Sequence, residues 1–541
     1  MAGLTFVFCD SFNLQRLAKR NTVSAQYPED QYEKNTEEFA ATREQSVAID
    51  HARLGESFKI MAYAGTGKTT TLKLISDAIS HKKGMYLAFN KVIASQAQQK
   101  FHAGVDCRTF HSLAYRGVER GITDKLRLPR LSPIKLAADY QLEPIVIRRL
   151  LGNNYENFTL TSSRQASLIS NAVSQFCSTN AQYPAPRHIV TPEWMHEDDA
   201  TAIQQHLYPY VERRWLDSIN PQHNAGIGHD IYLKRWALSS PTIHTDYILF
   251  DEAQDADPLM LGILLKQKNA QVIYVGDAHQ QIYAWRGAVN AMQQLPLPSS
   301  RLTQSFRFGE SIAEVANVFL TQLGETVPLH GRDDLKSVVN TQPFPKKRNA
   351  ILCRTNARAM ELLLSGLVQG NKVALQADHE RLARFVDAAN ALRQGRRVFD
   401  VPELSWFNSW HEVHEYCETN DGSDIKPLVR LIDEHGTEPL KRALAKITPF
   451  AQADYVISTA HKAKGLEWHH VQIEDDYNFK IQKDGAKISV EELRLLYVAC
   501  TRAQSSLSVH YLMPLLDALR KEQAIKAKVD QKGSDKKIVA F

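Results

Sequence analysis

The sequence predicts an α/β fold built from two parallel-sheet cores, each interrupted by one mainly helical insertion. Three observations support this prediction. Residues 57–120 alternate apolar strands with helix-like segments around a glycine-rich loop. Residues 120–240 lose that alternation and become polar and helix-like before apolar strands return. The same succession of an α/β region, a helical region and returning strands then repeats from residue 300 onwards.

The boundaries of these regions follow from where the strand patterns stop and resume. The end of the chain is rich in lysine and is expected to be a frayed, solvated tail. The predicted regions are an N-terminal extension (1–40), the first core (41–118 and 241–298), its insertion (119–240), the second core (299–375 and 451–515), a reduced second insertion (376–450) and the lysine-rich C-terminal tail (516–541).

The composition is typical of a folded protein without membrane-spanning segments. Hydrophobic residues make up 43% of the chain and charged residues 23%, and the formal net charge of +5 permits a nucleic-acid partner without requiring one. The six cysteines form no CxxC pair, which argues against a zinc ribbon, an iron–sulfur cluster or a disulfide framework. No stretch approaches the roughly 20 apolar residues that span a bilayer, so we expect no membrane partner.

A glycine-rich loop lies between the first strand and the first helix predicted for the first core. Glycine has no Cβ, so backbone N–H groups in such a loop can approach phosphate oxygens closely. Lys68 would supply positive charge to the β- and γ-phosphates of ATP, and Thr69 would supply a hydroxyl ligand for Mg²⁺. The candidate ATP-binding residues of this loop are Ala64, Gly65, Thr66, Gly67, Lys68, Thr69 and Thr70.

Two carboxylates, Asp251 and Glu252, directly follow the apolar strand YILF. Ligands of open α/β sheets bind at the carboxyl ends of the strands, so these side chains are expected beside the phosphates. Asp251 would hold Mg²⁺ through water, and Glu252 would orient or deprotonate the attacking water. An isolated acidic cluster is usually solvated surface, but the phosphate loop upstream on the same predicted sheet makes an ATPase site the better interpretation.

Further motifs follow in order from residue 42 to about residue 511. They are TREQ (42–45), TFHSLAY (109–115), GDAHQQIYAWRGA (276–288), SFR (305–307), STAHKAKGLE (458–467) and ELRLLYVACTRA (492–503). Together with the glycine loop and the DEAQD segment, they resemble the UvrD/Rep/PcrA class of superfamily 1 DNA helicases. The variants AFNK and TAHKAKGLEW resemble most closely the F-box DNA helicase branch of that class. The resemblance implies two RecA-like cores, 1A and 2A, with insertions 1B and 2B.

The resemblance also assigns roles around the nucleotide to residues of both cores. Gln45 would read the adenine edge, and Gln280 would sense the γ-phosphate. Phe306 would stack on adenine, while Arg307 and Arg502 would reach the γ-phosphate from the second core. The predicted catalytic residues are Lys68, Asp251, Glu252, Gln280, Arg307 and Arg502, and Glu467 joins Gln45, Phe306 and the loop as an ATP contact. Because both arginines come from the same chain, a monomer working on DNA is expected.

Candidate DNA contacts come from the same motifs. Single strands are held by stacking bases on aromatic rings and by contacts to their phosphates. The resemblance implies that Trp285 stacks on a base and that Arg286 lies beside the DNA. Phe89 directly precedes Asn90 and Lys91, whereas the family commonly has one residue between, so its stacking role stays open. The predicted DNA-binding residues are Thr109, His111, Tyr283, Trp285, Arg286, Asn356 and His461.

The favoured function is an ATP-dependent DNA helicase or translocase that moves 3′ to 5′ on single-stranded DNA. Its partners would be single strands and single/double-strand junctions, and its role DNA repair, recombination control or replication restart. The reduced second insertion favours translocation over processive strand separation. Only about 40 residues precede the first motif, so we expect a relative without an F-box. The expected location is the nucleus in a eukaryote or the nucleoid-associated cytoplasm in a bacterium.

Two other functions remain open. The chain could be an ATPase and DNA-sensing subunit that licenses a protein partner, for instance in an anti-phage complex. An RNA helicase is disfavoured by the resemblance alone. Stimulation of the ATPase by DNA, by RNA or only by a second protein separates these alternatives.

Overall fold

The computed structural model describes most of the chain after position 40. It describes residues 41–538 except 152–153, 284–288, 345–349, 419–421, 423–424 and 484, and it describes side chains up to residue 527 apart from residue 151. The predicted N-terminal extension, residues 1–40, therefore lies outside the described residues.

Eight strands occupy the first half of the chain. They are β1 (Phe58–Ala62), β2 (Gly84–Ala88), β3 (Val105–Thr109), β4 (Ile145–Leu151), β5 (Asn154–Leu160), β6 (Tyr247–Phe250), β7 (Gln271–Gly276) and β8 (Ser299–Leu302). Six of them form one parallel sheet in the order β3-β2-β6-β7-β1-β8, while β4 and β5 form an antiparallel hairpin. Strands β2, β6 and β7 are buried along their whole length, as expected for a parallel sheet that helices cover on both faces.

The helices of this half begin at side-chain caps in several places. Thr42, Asn90 and Thr109 each accept a hydrogen bond from the backbone of the helix that follows, which satisfies an otherwise unpaired N–H group. The helices are α1 (Arg43–Leu54), α2 (Lys68–Ala78), α3 (Lys91–Lys100), α4 (Phe110–Gly117), α5 (Arg120–Asp124), α6 (Pro133–Asp139), α7 (Ser162–Cys177), α8 (Glu197–Ile219), α9 (His229–Leu238), α10 (Pro258–Leu265) and α11 (Ala291–Gln294).

The first insertion contains a β-hairpin as well as helices α5 to α9. The prediction of a mainly helical segment missed strands β4 and β5, which pair from Ile145 opposite Leu160 to Leu151 opposite Asn154. Ile147, Phe158 and Leu160 are buried on one side of the hairpin and stabilise it by packing. The polar composition of the segment as a whole does not reveal these few apolar residues.

The second half contains another sheet of six parallel strands, in the order β11-β12-β10-β13-β16-β9. Its strands are β9 (Val338–Asn340), β10 (Ala350–Cys353), β11 (Val373–Gln376), β12 (Tyr455–Thr459), β13 (Trp468–Ile473) and β16 (Ala503–Ser508), and β14 (Phe479–Gln482) and β15 (Gly485–Ile488) form a hairpin. Its helices are α12 (Glu310–Gln322), α13 (Asn356–Val368), α14 (His379–Arg393), α15 (Trp410–Cys417), α16 (Lys426–His435), α17 (Thr437–Ala445), α18 (Ala460–Ala463), α19 (Val490–Cys500) and α20 (Met513–Ile538). The predicted fold class, two RecA-like cores with insertions, is confirmed.

Two predicted boundaries are wrong. Strand β8 pairs with β1 in the first sheet, so the first core extends past residue 298 to Leu302. The segment from residue 516 is not a frayed tail, because α20 continues to Ile538 and buries Leu516 and Leu519 in the second core.

Each insertion leaves its sheet at the carboxyl end of an edge strand. The first insertion follows edge strand β3 through α4, and the second, formed by α14 to α17, follows edge strand β11. The glycine loop lies at the carboxyl end of β1 and Arg502 at the amino end of β16, and both strands lie next to the edge strand at the other end of their sheet. Because all strands of a sheet are parallel, the carboxyl ends of each sheet line one side, where ligands of such folds bind.

No helix in the described part of the chain is long and apolar enough to cross a membrane. The described residues also contain no group of three or more His, Cys, Asp or Glu side chains arranged to hold a metal ion.

Candidate nucleotide site and nucleic-acid track

The glycine loop after β1 lies directly against the second core. Gly65 and Gly67 have φ angles of 75° and 73°, in the left-handed region that favours glycine. A Cβ on Gly65 would lie 2.5 Å from Ser305 Oγ, so there is no room for a side chain there. The Phe306 N–H donates to the Gly65 carbonyl at 2.8 Å, which joins the loop to the segment predicted to contact ATP.

The remaining loop residues are placed by short local contacts. Thr66 is buried and donates its hydroxyl to the Tyr63 carbonyl at 2.9 Å. Lys68 begins α2, and Thr70 is exposed in the first turn of the same helix. The N-terminal end of α2 therefore points its N–H groups towards the loop, the usual position for binding phosphate.

The carboxylates after β6 meet the start of α2. Lys68 Nζ lies 3.2 Å from Glu252 Oε1, and the Thr69 hydroxyl donates to Asp251 Oδ2 at 3.2 Å. Tyr86 donates to the same Asp251 oxygen at 2.8 Å. A hydroxyl and a carboxylate oxygen side by side form a donor set that suits Mg²⁺, so Thr69 and Asp251 fit the predicted metal ligands.

Electrostatics separate the two carboxylates. Burial opposes ionisation of Glu252, but the charges of Lys68 and Lys464 outweigh it and lower its pKa to about 2. Burial and the neighbouring Glu252 charge raise the pKa of Asp251. Glu252 also has a left-handed backbone, with φ of 54°, which is uncommon for a residue with a side chain. Glu252 is thus held ionised and in a strained conformation beside Lys68.

Gln45 and Phe306 flank the glycine loop. Gln45 is buried at the start of α1 and donates Nε2 to the Thr71 hydroxyl at 3.2 Å. A Cβ on Gly67 would lie 3.4 Å from the Phe306 ring and 3.7 Å from Gln45 Nε2. Phe306 is 38% exposed, so it is accessible to a flat ligand beside the loop.

The two predicted arginines of the second core lie at the same cleft. Arg307 bonds Glu467 Oε2 at 2.6 Å and the Thr501 carbonyl at 2.8 Å. Arg502 is almost fully buried, and its Nη2 lies 3.5 Å from Gln280 Oε1. Burial and the charge of Arg307 lower the pKa of Arg502 to about 9. Two cations are therefore held close together facing the first core, an arrangement that suits an anion.

Tyr497 is a cleft residue that sequence reasoning did not single out. Its hydroxyl donates to Asp277 Oδ2 at 2.8 Å and accepts the Ala64 N–H at 3.0 Å. Gln280 donates to the same Asp277 oxygen at 2.8 Å. A fully buried phenol of α19 therefore joins the glycine loop to the Gln280 turn. The available signal was a tyrosine within the otherwise apolar run LLYVAC.

Lys464 is a second residue that was missed. Its ammonium forms a buried ion pair with Asp255 and donates to the Gln280 carbonyl at 2.7 Å. It also lies 5.3 Å from the centre of the Tyr283 ring. Lys464 thus connects the segment before β13 with two motifs of the first core.

The predicted DNA-binding residues, which we call the DNA track, are divided between the two cores. Thr109 caps α4, and His111 in that helix lies 3.8 Å from Asp230. Asn356 is exposed at the start of α13, and His461 lies in α18. Thr109 ends β3 and the other three follow β3, β10 or β12, so each of the four lies at the carboxyl end of its own sheet.

Three aromatic candidates differ in how they are placed. The Tyr283 hydroxyl donates to the His461 carbonyl at 3.0 Å, which links the cores near the track. Phe89 is 44% exposed immediately after β2, which keeps it available for stacking. Trp285 and its neighbour Arg286 lie outside the described residues.

A glycine loop and a carboxylate pair at the strand ends of one parallel sheet, faced by arginines from the second core of the same chain, define a two-lobed P-loop NTPase. Residues 41–295 match the model of the UvrD/REP helicase N-terminal domain, and residues 393–513 match the UvrD-like helicase C-terminal domain. The chain belongs to the UvrD-like helicase family.

Individual relatives agree with this assignment. The chain is 30% identical to F-box DNA helicase protein 1 of Schizosaccharomyces pombe over 88% of its own length and 58% of that protein. It is 29% identical to F-box DNA helicase 1 of Gallus gallus over 96% of its length and 54% of the relative. A shorter match, 34% over 20% of the chain and 16% of the relative, is to ATP-dependent DNA helicase PcrA of Leuconostoc citreum. The chain spans a little over half the length of the two F-box relatives.

Proposed function

We propose that the protein is an ATP-dependent DNA helicase or translocase that moves 3′ to 5′ on single-stranded DNA. The observation that carries this proposal is the cleft itself. Lys68 of the first core and Arg307 and Arg502 of the second core face one space, and the Gly65–Phe306 and Gln280–Arg502 contacts cross it. A triphosphate lying there would attract cations from both lobes.

The chemistry follows from the charge state of the cleft. Glu252, with its pKa of about 2, is ionised at neutral pH and can accept a hydrogen bond from the attacking water. Lys68 and Arg502 would stabilise the charge that develops on the γ-phosphate, and such an arginine is typically worth about 10³–10⁵ in rate. Mg²⁺ held by Thr69 and Asp251 would neutralise charge on the phosphate oxygens.

Coupling to DNA would pass through side chains that reach across the cleft. Tyr497 joins the glycine loop to Asp277, and Lys464 joins Asp255 to the Gln280 carbonyl beside the Tyr283 ring. Hydrolysis would remove the γ-phosphate that Arg307 and Arg502 attract, so the cleft would relax. The DNA track lies at the carboxyl ends of strands in both cores, so its two halves belong to different lobes. Relative movement of the lobes would therefore advance the strand.

The test combines ATPase and strand-displacement measurements on the purified chain. Single-stranded DNA is expected to stimulate ATP hydrolysis many-fold, and Lys68→Ala is expected to abolish hydrolysis because the phosphate charge loses its partner. Arg53→Ala, at an exposed ion pair with Asp50, provides a matched loss of a surface cation and should leave hydrolysis unchanged. Substrates with a 3′ or a 5′ overhang determine polarity, and displacement only from 5′ overhangs would reject the proposed direction.

The same assay addresses the alternatives. RNA stimulating hydrolysis as strongly as DNA would favour an RNA helicase. Hydrolysis that stays silent on DNA until a second protein is added would favour an ATPase subunit of a larger complex.

A further inference from the structure

The two insertions contact each other directly. Arg164 of α7 donates Nε to the Ser405 carbonyl at 3.2 Å, and its guanidinium lies 5.9 Å from the Trp406 ring. The Trp194 and Trp406 rings meet edge to face, with centres 5.7 Å apart. The pair Arg149 Nη1 and Glu412 Oε2, 3.6 Å apart, completes the contact. We call this set the insertion bridge: Arg149, Arg164 and Trp194 of the first insertion, with Ser405, Trp406 and Glu412 of the second.

The insertion bridge is a specific contact rather than a loose approach of two surfaces. Arg164 and Trp194 are buried, and Arg164 also lies 4.9 Å from the Phe158 ring. Burial lowers the pKa of Arg164 to about 10. A desolvated guanidinium between aromatic rings holds its partners more strongly than an exposed one does. The hairpin β4–β5, which carries Arg149 and Phe158, therefore has a definite role in joining the insertions.

The lobes touch both between the cores and between the insertions. The cores meet at the nucleotide cleft, where Phe306 meets Gly65 and Arg502 lies against Gln280, and beside it through Tyr283 and His461. The insertions meet at the insertion bridge, and each leaves its sheet after an edge strand, β3 or β11. In the strand order, β2 and β12 lie between these edge strands and the strands at the cleft, β1 and β16. A strand lying along the ends of β2 and β12 would therefore have an interlobe contact on each side.

We infer that the insertion bridge closes the DNA track into a ring, so that the preferred substrate is single-stranded DNA with a free end. This inference rests on the proposed function, since it needs a strand in the track. A strand with an end can thread through the ring, whereas a closed circle can enter only when the bridge opens. The bridge would also keep a bound strand from leaving sideways.

The experiment compares a covalently closed single-stranded circle with its linearised form of the same sequence. Association of the wild-type protein, followed by fluorescence of labelled DNA, is expected to be about tenfold or more slower on the circle, because opening the bridge must precede binding. The double variant Arg149→Ala/Trp406→Ala should bring the two rates within about twofold and should speed loss of prebound circles in a competitor chase. Both side chains are only partly buried, which favours folding of the variant.

Arg148→Ala is the matched control. Arg148 neighbours Arg149 on β4, but it pairs with Asp199 inside the first insertion, at 2.8 Å. This variant should retain the preference for linear DNA. Equal association of the wild-type protein with circle and linear DNA would overturn the inference, and so would a folded double variant that keeps the preference. Failure of linear DNA to stimulate ATP hydrolysis would instead reject the proposed function, so the two failures are distinguishable.

Discussion

At the scale of single residues, Tyr497 of the second core contacts two separate motifs of the first core. Its hydroxyl is shared between the Ala64 N–H and Asp277. Tyr497→Phe keeps the buried ring but leaves Ala64 without this acceptor, which is expected to cost about 1–3 kcal/mol in the free energy of unfolding. ATP turnover should fall as well, because the Gln280 turn loses its link to the glycine loop. Urea unfolding and steady-state ATPase measure the two effects.

Tyr477→Phe provides the control for that variant. Tyr477 is also buried in the second core, but among the described residues its hydroxyl has no hydrogen-bond partner. Removing that hydroxyl should leave stability unchanged or slightly improved. Equal losses in the two variants would mean that the Tyr497 hydroxyl contributes no specific contact.

Arg502 offers a second prediction at this scale. Arg502→Ala is expected to keep ATP binding, because the glycine loop and Gln45 lie on the first core, while turnover falls by about 10³-fold or more. A fluorescent ATP analogue measures binding, and a coupled assay measures turnover. Arg502→Lys should recover only part of the rate, since an ammonium lacks the fork of the guanidinium. Turnover near the wild-type level in Arg502→Ala would remove this residue from the catalytic set.

At the scale of secondary-structure elements, α20 is an integral part of the second core. Leu516 is buried there, whereas Lys521 in the same helix is exposed. Leu516→Ala should lower the free energy of unfolding by about 2–5 kcal/mol through loss of buried surface and the cavity left behind. Lys521→Ala should change it by less than about 0.5 kcal/mol. Chemical denaturation of both variants tests the assignment, and a small loss in the first would restore the interpretation as a solvated tail.

How well each element could be predicted depended on how its side chains are used. Strands such as β6 and β12 are buried on both faces and read as apolar runs. Strand β8, with the sequence SSRL, buries alternate residues in only four positions, so no apolar run marks it. The helix α20 was obscured because its lysines outnumber the few leucines that anchor it.

The candidate site was predictable only where one motif carries a whole function. The glycine loop and the carboxylates after β6 are contiguous segments whose chemistry can be read directly. Tyr497 and Lys464 act through partners 433 and 209 positions away along the chain. No local pattern reports such pairs, because they exist only when both sheets have folded and met.

At the scale of the whole molecule, a titratable ion pair crosses between the lobes. Burial raises the pKa of Asp255 from 3.8 to about 6, although the facing charge of Lys464 opposes the rise and that of Glu252 adds to it. The native state therefore binds this proton more tightly than the unfolded chain does. Deprotonation between pH 3.8 and 6 costs native stability, and the ion pair with Lys464 is complete only above pH 6.

Interlobe coupling should consequently weaken as the pH falls through about 6. We expect DNA-stimulated ATP turnover to decrease as the pH falls through about 6. Asp255→Asn should abolish this decrease and leave a lower rate that does not depend on pH in this range. Turnover measured from pH 5 to 8 tests this, with circular dichroism at each pH to verify folding. If the turnover of Asp255→Asn still decreases at acidic pH as the wild type does, another titrating group is responsible.

The connection between β11 and β12 has a consequence for the evolution and redesign of this architecture. These strands are adjacent and parallel, with Val373 opposite Tyr455, so a hairpin cannot join them. Parallel neighbours need a crossover of about a dozen residues, usually one helix. The second insertion is therefore an enlarged crossover that leaves at the carboxyl end of β11 and returns at the amino end of the neighbouring β12. Its Phe385 and Leu440 pack in one apolar cluster with Ile457 of the sheet. A chimaera with a single helix in its place should therefore preserve the sheet only if that helix covers the same apolar face, whereas the parts of the insertion beyond this packed layer can be lengthened or exchanged.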